Sequence, residues 1–251
     1  MQIIKGFKFI KAYASGKSHV KADLNLIMTM VNELDKNYDK KLKKKFNENP
    51  YSKLFYKQEN LKDTVLRSRY KKGTLGAELK TFWKNNTDDL FQKNFDISQT
   101  KGKKNIAFMK GLLNEHDIIH CVNKLDSTPL AEVSVLGFTL AKGFRLSFFY
   151  ICLASVLLAL KNSFGKKAIQ GSLFFKLKYM PVISVIRLIL EGYFNGKKTA
   201  WFMTVDWHSY LRTPIEEVRQ ELQIKEFPVW EEIKPLWYEL LTHYKKIDTR
   251  I

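Results

Sequence analysis

The sequence predicts an all-α protein, folded as an irregular multi-helix bundle. Apolar residues recur at helical spacing through most of the chain, and there is no sustained polar and apolar alternation of the kind that marks a strand. Turn-forming pairs separate the periodic segments, as at Asn49-Pro50, Lys72-Gly73 and Asn195-Gly196. Helices joined by short turns are therefore expected.

Short breaks divide the chain into successive helical segments. Asn123 can end the helix before it, and Thr128 followed by Pro129 is a typical N-cap with proline at the first helical position. The helices on either side of this break should form an antiparallel hairpin. In order, helices are expected at residues 22–46, 52–70, 75–85, 104–123, 129–142, 144–161, 181–194 and 229–245.

The chain length favours one main globular unit. A chain of 251 residues is long enough to bury one core and short for two. Residues 1–50, which are rich in lysine, are expected to form a basic helical extension packed on that core. Residues 51–251 would then be a single helical domain that also carries the site described below.

Two apolar segments stand out in the second half of the chain. Residues 146–160 read LSFFYICLASVLLAL and carry no charge, but they are fewer than the roughly 20 that span a bilayer. A second segment, Met180 to Leu190, has Arg187 in its interior. Plain core packing is the simpler interpretation of both, and the lining of a ligand cavity is the alternative.

His116, His120 and Glu132 form the pattern that most suggests chemistry. Side chains four apart share one face of a helix, so the two imidazoles can bind one cation. Asp117 lies about 100° round the same helix, where it can bind the ion from the flank or orient a ligand. His120 precedes the hairpin turn by about one helical turn and Glu132 follows it by about one, so both lie at a similar height. The fold is therefore predicted to carry a metal site on a helical hairpin.

The chemistry of this group favours zinc, although iron and manganese also suit it. Two imidazoles and a carboxylate leave an open position for water or substrate on a tetrahedral ion. One alternative is a polar network in the core, in which the four side chains only pair with one another. Another is a metalloprotease, but its motif has glutamate where this chain has Asp117, whose arm is shorter.

The wider pattern resembles that of the coenzyme Q biosynthesis protein four family. The family signature is H-D-x-x-H, eleven residues, then E, which is matched from His116 to Glu132. Three further blocks are similar to those of the family: Gly73-Thr74-Leu75-Gly76, residues 131–141 (AEVSVLGFTLA), and residues 205–224 (VDWHSYLRTPIEEVRQELQI). The chain is therefore identified as a bacterial-type member, with the resemblance spanning roughly residues 73–224.

The resemblance implies a metal-binding helical protein of prenylated quinone biosynthesis. The family's metal motif matches His116, Asp117, His120 and Glu132, so the resemblance implies that these four residues form the metal site. Asp117 and Glu132 are the candidate catalytic residues. The implied reaction removes the ring C1 carboxyl group, with hydroxylation there, from a polyprenylated hydroxybenzoate-type substrate, as a metal-dependent lyase or oxidative decarboxylase would. The alternative is a non-catalytic scaffold that binds an isoprenoid lipid and carries a structural metal. Other quinone-biosynthesis proteins are the expected partners, and a homo-oligomer is expected.

The charge of the chain predicts an anionic partner. The formal net charge is +18, and lysines dominate it, as in residues 39–46 (DKKLKKKF). Each basic group near an anionic lipid surface contributes about 1 kcal/mol of attraction. An anionic membrane surface is therefore the first interpretation of the lysine excess, and a solvated helix face is the second. Nucleic acid is not expected, because no recognisable binding motif is present and arginines are few.

The cysteines and the N-terminus bear on location. Cys121 and Cys152 are too few for a disulfide framework, which favours a reducing compartment. The N-terminal residues lack the cleavable apolar core of a signal peptide. A cytoplasmic protein, peripheral to the inner face of the cell membrane, is therefore expected.

Overall fold

The protein is mostly helical in the part of the chain that the structure describes. The computed structural model describes residues 44, 48, 61–85, 114–142, 146–163, 180–200 and 202–248. Within these ranges there is no strand, only an isolated bridge between Thr74 and Pro214. The predicted all-α fold class is confirmed.

The helices are numbered here in chain order, with a short 3-10 helix at Phe202–Thr204 between α6 and α7. Residues 114–122 are helical and form α3. The others are α1 (Leu61–Arg67), α2 (Leu75–Asn85), α4 (Pro129–Lys142), α5 (Leu146–Ser163), α6 (Val182–Lys198), α7 (Trp207–Tyr210), α8 (Ile215–Glu221) and α9 (Pro228–Asp248).

Two of the observed helices have the bounds that the sequence predicts. Helices α2 and α4 begin and end at the predicted residues. The predicted turn at Asn195-Gly196 is wrong, because α6 continues through both residues to Lys198. The short helices α7 and α8 were not predicted. The predicted helix at 22–46 lies outside the described residues, apart from residue 44.

The described helices fall into two compact units. One contains α4, α5, α6 and α9, and the other contains α1, α2, α3, α7 and α8. The predicted extension at residues 1–50 lies almost wholly outside the described ranges. It therefore stays a prediction, as does the single domain at 51–251.

In the first unit, α4 and α6 pack with their backbones close together. A Cβ on Gly192 of α6 would overlap the carbonyl oxygen of Ser134 on α4, and a Cβ on Gly196 would lie 2.6 Å from that of Phe138. Helix α5 packs on α4 and buries Tyr150 and other apolar residues. None of the described helices is both long and apolar enough to cross a membrane.

In the second unit, the Gly73–Gly76 block is held by the segment before α8. The amide of Leu75 donates to the carbonyl of Thr213 at 3.0 Å, and that of Gly76 donates to Leu211 at 2.9 Å. Gly73 has φ +83°, which side-chain-bearing residues rarely adopt, and it opens the turn into α2. Two of the sequence blocks that resemble the family therefore join to anchor the start of α2.

Candidate metal centre

His116 and His120, the candidate metal ligands of α3, are followed by a well-formed helix end. The amide of Leu125 donates to the carbonyl of His120 at 2.9 Å, and that of Lys124 donates to Cys121 at 3.2 Å. Lys124 has φ 55°, so it takes the left-handed position that glycine usually fills. Together these features form a Schellman motif. It ends α3 at Val122, two residues after His120.

Helix α4 then presents Glu132 in its first turn. The amide of Glu132 donates to the carbonyl of Thr128 at 3.0 Å, and the amide of Ala131 lies 3.4 Å from Thr128 Oγ1. The predicted N-cap at Thr128 is thereby confirmed, with Pro129 as the first helical residue. A carboxylate in the first turn is stabilised by the helix dipole. Glu132 occupies such a position.

His116, His120 and Glu132 come together. One ligand atom from each lies within 4.8 Å of the other two. His120 is 1% exposed, whereas His116 and Glu132 are half-buried. Two imidazole nitrogens and a carboxylate are a donor set that zinc, iron and manganese accept. The residues present therefore fit a metal, and this group could hold one.

The hydrogen bonds of His120 prepare it to bind a cation. Its Nδ1 lies 2.8 Å from the carbonyl oxygen of Asp126. A carbonyl only accepts hydrogen bonds, so Nδ1 is the donor here, and in the neutral ring Nε2 then carries the lone pair. That Nε2 lies 3.3 Å from Nε2 of His116. The lone pair therefore points to where the other two ligand residues converge.

Asp117 has a different partner. It is 2% exposed, and its Oδ2 accepts a hydrogen bond of 2.6 Å from Nε1 of Trp83 on α2. Among the described residues, the group that could hold a metal comprises the two histidines and Glu132. The assignment of Asp117 as a fourth ligand stays a prediction, and so do the catalytic roles of Asp117 and Glu132.

Two aromatic residues of α2 contact the candidate site and were not predicted from the sequence. Phe82 stacks on the ring of His120 with 5.6 Å between centroids. The neighbouring Trp83 donates a hydrogen bond from Nε1 to Asp117. The only signal in the sequence is their position on the helix that the Gly73–Gly76 block opens. Nothing in their spacing relates them to α3.

Cys121 adjoins His120 but does not join the group. Burial, followed by the charges of Glu78 and Asp117, raises the pKa of its thiol. The thiol therefore stays protonated at neutral pH, whereas a metal ligand would be the thiolate.

Comparisons with known proteins give the family. The model of the coenzyme Q (ubiquinone) biosynthesis protein Coq4 family matches residues 25–228. A crystal structure from Nostoc punctiforme PCC 73102, provisionally described as a ubiquinone biosynthesis protein, shares the fold with a TM-score of 0.58. It is 17% identical, and the alignment covers 90% of this chain and 97% of that one. No curated protein matches the sequence. Because the family model spans most of its length, the chain belongs to the Coq4 family of coenzyme Q biosynthesis proteins.

Proposed function

We propose that this protein is a metal-dependent enzyme of ubiquinone-type quinone biosynthesis. Its substrate would be a polyprenylated aromatic acid, with dioxygen and a two-electron donor as co-substrates. The ring C1 carboxyl group would leave as carbon dioxide, one atom of dioxygen would become the hydroxyl group at that carbon, and the other would become water. Membership of the Coq4 family supports the pathway. The observation that carries the proposal is the convergence of His116, His120 and Glu132 within 4.8 Å.

The roles of the residues follow from their surroundings. His120 would bind through Nε2, in the tautomer fixed by the Asp126 carbonyl, and His116 would bind beside it. Glu132 would supply the negative charge. When bound, the metal would act as a Lewis acid towards the carboxylate or phenolate oxygens of the substrate. Zinc suits this donor set best, with iron and manganese as the other candidates.

The exposure of the group favours a reactive site over a structural one. A structural metal is normally enclosed by four protein ligands, whereas a catalytic one keeps an open position. His116 and Glu132 are only half-buried, which leaves the group approachable. The scaffold alternative, in which the protein binds an isoprenoid without reacting, does not need this exposure.

A surface on α6 supports action at a membrane. Ile183, Leu190 and Phe194 are 59%, 47% and 55% exposed, and their spacing places them on one helix face, here called the apolar stripe. Lys197 and Lys198, both exposed, follow at the end of the same helix. Apolar side chains beside lysines suit an anionic lipid surface. We infer that the protein docks there on the inner face of the cell membrane.

The charged residue within the apolar stripe is neutralised. Arg187 makes two hydrogen bonds, of 2.7 and 2.6 Å, to the carboxylate oxygens of Glu232 on α9. One turn further along α9, Leu236 is 41% exposed. The start of α9 contacts Glu191, and Glu232 further along α9 pairs with the earlier residue Arg187, so the two helices run antiparallel. Leu236 and Ile183 each lie one turn beyond the ion pair in their own helix. The apolar surface therefore continues across the ion pair.

Metal content is the first test. Elemental analysis should find about one metal ion per chain in the wild type, as one ligand group predicts. His120→Ala should lose most of it. His208→Ala is the matched control, because it removes a histidine that lies outside the group and should keep the metal. Equal metal in all three proteins, or none in any, would contradict the proposal.

Turnover separates the enzyme from the scaffold. A polyprenylated hydroxybenzoate carrying a labelled carboxyl carbon should release labelled carbon dioxide with the wild type and not with Glu132→Gln. Binding of the substrate without release, under aerobic conditions and with full metal content, would favour the scaffold.

Vesicle binding tests the membrane surface. The wild type should sediment with vesicles containing anionic phosphatidylglycerol, and Phe194→Glu should sediment several-fold less. Phe149→Glu is the control, since Phe149 is 40% exposed but lies on α5. Equal loss in both variants would exclude the apolar stripe as the docking surface.

A further inference from the structure

We propose that the turn joining α1 to α2, with the segment before α8 beside it, is a docking surface for an acidic face of a partner protein. The surface consists of five exposed cations, here called the basic patch: Arg67, Arg69, Lys71, Lys72 and Arg212. None of them belongs to the candidate metal centre, so this docking surface goes beyond the proposed function.

The positive charge of the basic patch is not offset locally. The chain has no acidic residue between Asp63 and Glu78. The same holds between Asp206 and Glu216. Among the residues that the structure describes, none of the five cations forms an ion pair, and Glu216 pairs instead with Lys124 at 2.9 Å. Exposed cations without counter-charges favour an anionic partner.

The turn that carries four of the cations is anchored to α2. Ser68 lies between the first two arginines, and its carbonyl accepts a hydrogen bond of 2.6 Å from the ammonium group of Lys80 on α2. The carbonyl of Lys71 accepts a hydrogen bond of 2.7 Å from Oγ1 of Thr74. The backbone under these cations is therefore held on both sides.

Arg212 is brought to the same turn by backbone hydrogen bonds. The residues directly before and after it accept the bonds from the amides of Gly76 and Leu75. The amide of Ile215 also donates to the carbonyl of Gly73 at 2.9 Å. The backbone of the basic patch is thus fixed before a partner arrives, which lowers the entropy cost of binding.

The basic patch is rich in arginine, although the chain is rich in lysine. Three of its five cations are arginines, whereas the whole chain has only seven arginines among 43 basic residues. A guanidinium group can pair with a carboxylate through two parallel hydrogen bonds, which an ammonium group cannot do. Arginine is also enriched in protein interfaces, and lysine is depleted there. This composition favours specific pairing with carboxylates on a protein.

Other partners fit the basic patch less well. A membrane-binding surface combines cations with exposed apolar side chains, but the large apolar side chains that are exposed among the described residues all lie on α5, α6 and α9. Single-stranded nucleic acid stacks on exposed aromatic rings. The aromatic residue of the turn, Tyr70, instead packs on α2, since a Cβ on Gly76 would lie 2.5 Å from its Cδ1. A second copy of this chain is disfavoured by the net charge of +18.

An acidic peptide tests the basic patch. The probe is a fluorescein-labelled helical peptide with glutamates along one face, and its binding is followed by fluorescence anisotropy at physiological ionic strength. The triple variant Arg67→Gln, Arg69→Gln and Arg212→Gln should bind the peptide about tenfold more weakly than the wild type, because three ion pairs are lost.

The matched control removes the same charge elsewhere. It replaces three exposed lysines outside the basic patch: Lys84→Gln, Lys198→Gln and Lys225→Gln. Salt screens distant charges, so this variant should weaken binding less than about threefold. Replacing the three arginines of the patch with lysine keeps the charge and guards against misfolding, and it should weaken binding about threefold, because the paired hydrogen bonds are lost.

Three results would overturn the proposal. The first is the absence of peptide binding by the wild type, and the second is an equal loss in the patch and control glutamine variants. The third is wild-type binding by the lysine variant, which would show that bulk charge alone acts. If the glutamine variant of the patch kept the peptide but lost vesicles of phosphatidylglycerol or a single-stranded oligonucleotide, the patch would bind phosphate groups, and the proposal would again be wrong.

Discussion

Replacing Gly192 with alanine should destabilise the protein, although alanine is the better helix former. The new Cβ would overlap the carbonyl oxygen of Ser134 and lie 3.0 Å from the amide nitrogen of Phe138. Both are backbone atoms of α4, so no side-chain rotation relieves the overlap. Helices α4 and α6 would have to move apart, which opens a close-packed interface.

The magnitude follows from two opposing terms. In a helix interior, alanine is favoured over glycine by about 1 kcal/mol. Overpacking a core typically costs about 1 to 3 kcal/mol and occasionally more, and an overlap with backbone belongs at the upper end. We therefore expect a net loss of about 2 kcal/mol, or a fall in Tm of about 4 to 8 °C for a chain of this length.

Two other glycines give a graded comparison. A Cβ on Gly196 would lie 2.6 Å from the carbonyl oxygen of Phe138, a milder conflict, so Gly196→Ala should cost less. A Cβ on Gly73 would meet nothing within 4 Å, but its φ of +83° should cost alanine about 1 to 2 kcal/mol. Only the Gly73 variant should leave α4 in place.

Urea denaturation and a zinc titration would test this reasoning. Gly192→Ala should unfold at lower urea, and it should also bind zinc more weakly, because α4 carries Glu132. Gly73→Ala should keep its zinc affinity. If Gly192→Ala were instead about 1 kcal/mol more stable than the wild type, only the helix propensity of alanine would be acting. That result would refute the close approach of the α4 and α6 backbones.

The remaining predictions concern buried and paired groups. Burial raises the pKa of the Cys152 thiol to about 12 and raises that of Cys121 as well, so a thiol reagent at pH 8 should modify neither until denaturant is added; fast labelling of the native protein would contradict this. The Glu191 carboxylate accepts hydrogen bonds from two amides at the start of α9, so Glu191→Ala should cost about 1 to 2 kcal/mol in urea denaturation, and the exposed Glu239→Ala should cost nothing. The hydrogen-bonded ion pair with Lys124 lowers the pKa of Glu216. The pair therefore contributes to the free energy of unfolding above the ordinary pKa of 4.5, and this contribution is lost as the pH falls below that value. Because this pair is largely exposed, Glu216→Gln should cost less than about 1 kcal/mol at pH 7, and a larger difference at pH 3 would refute the assignment.

The sequence predicted the long helices well because their signals are local. Periodicity and caps lie within the segment itself, so α2 and α4 have the expected bounds. Helices α7 and α8 are too short for a periodic pattern, and backbone pairing between Gly73–Gly76 and residues 211–215 fixes their place. Gly196 was taken for part of a turn, but its lack of a side chain serves the contact with α4.

The sequence by itself also determined the chemistry of the candidate site. Two histidines four residues apart must share a helix face, and a proline after an N-cap must start the next helix, so the ligand types and the hairpin follow from local geometry. Only the tertiary structure decided the hydrogen-bond partner of Asp117. Trp83 lies 34 residues before Asp117 in the chain, and no local rule links an indole N–H to a carboxylate at that distance. Packing in three dimensions gives Asp117 that partner, and ligand atoms of His116, His120 and Glu132 lie within 4.8 Å of one another.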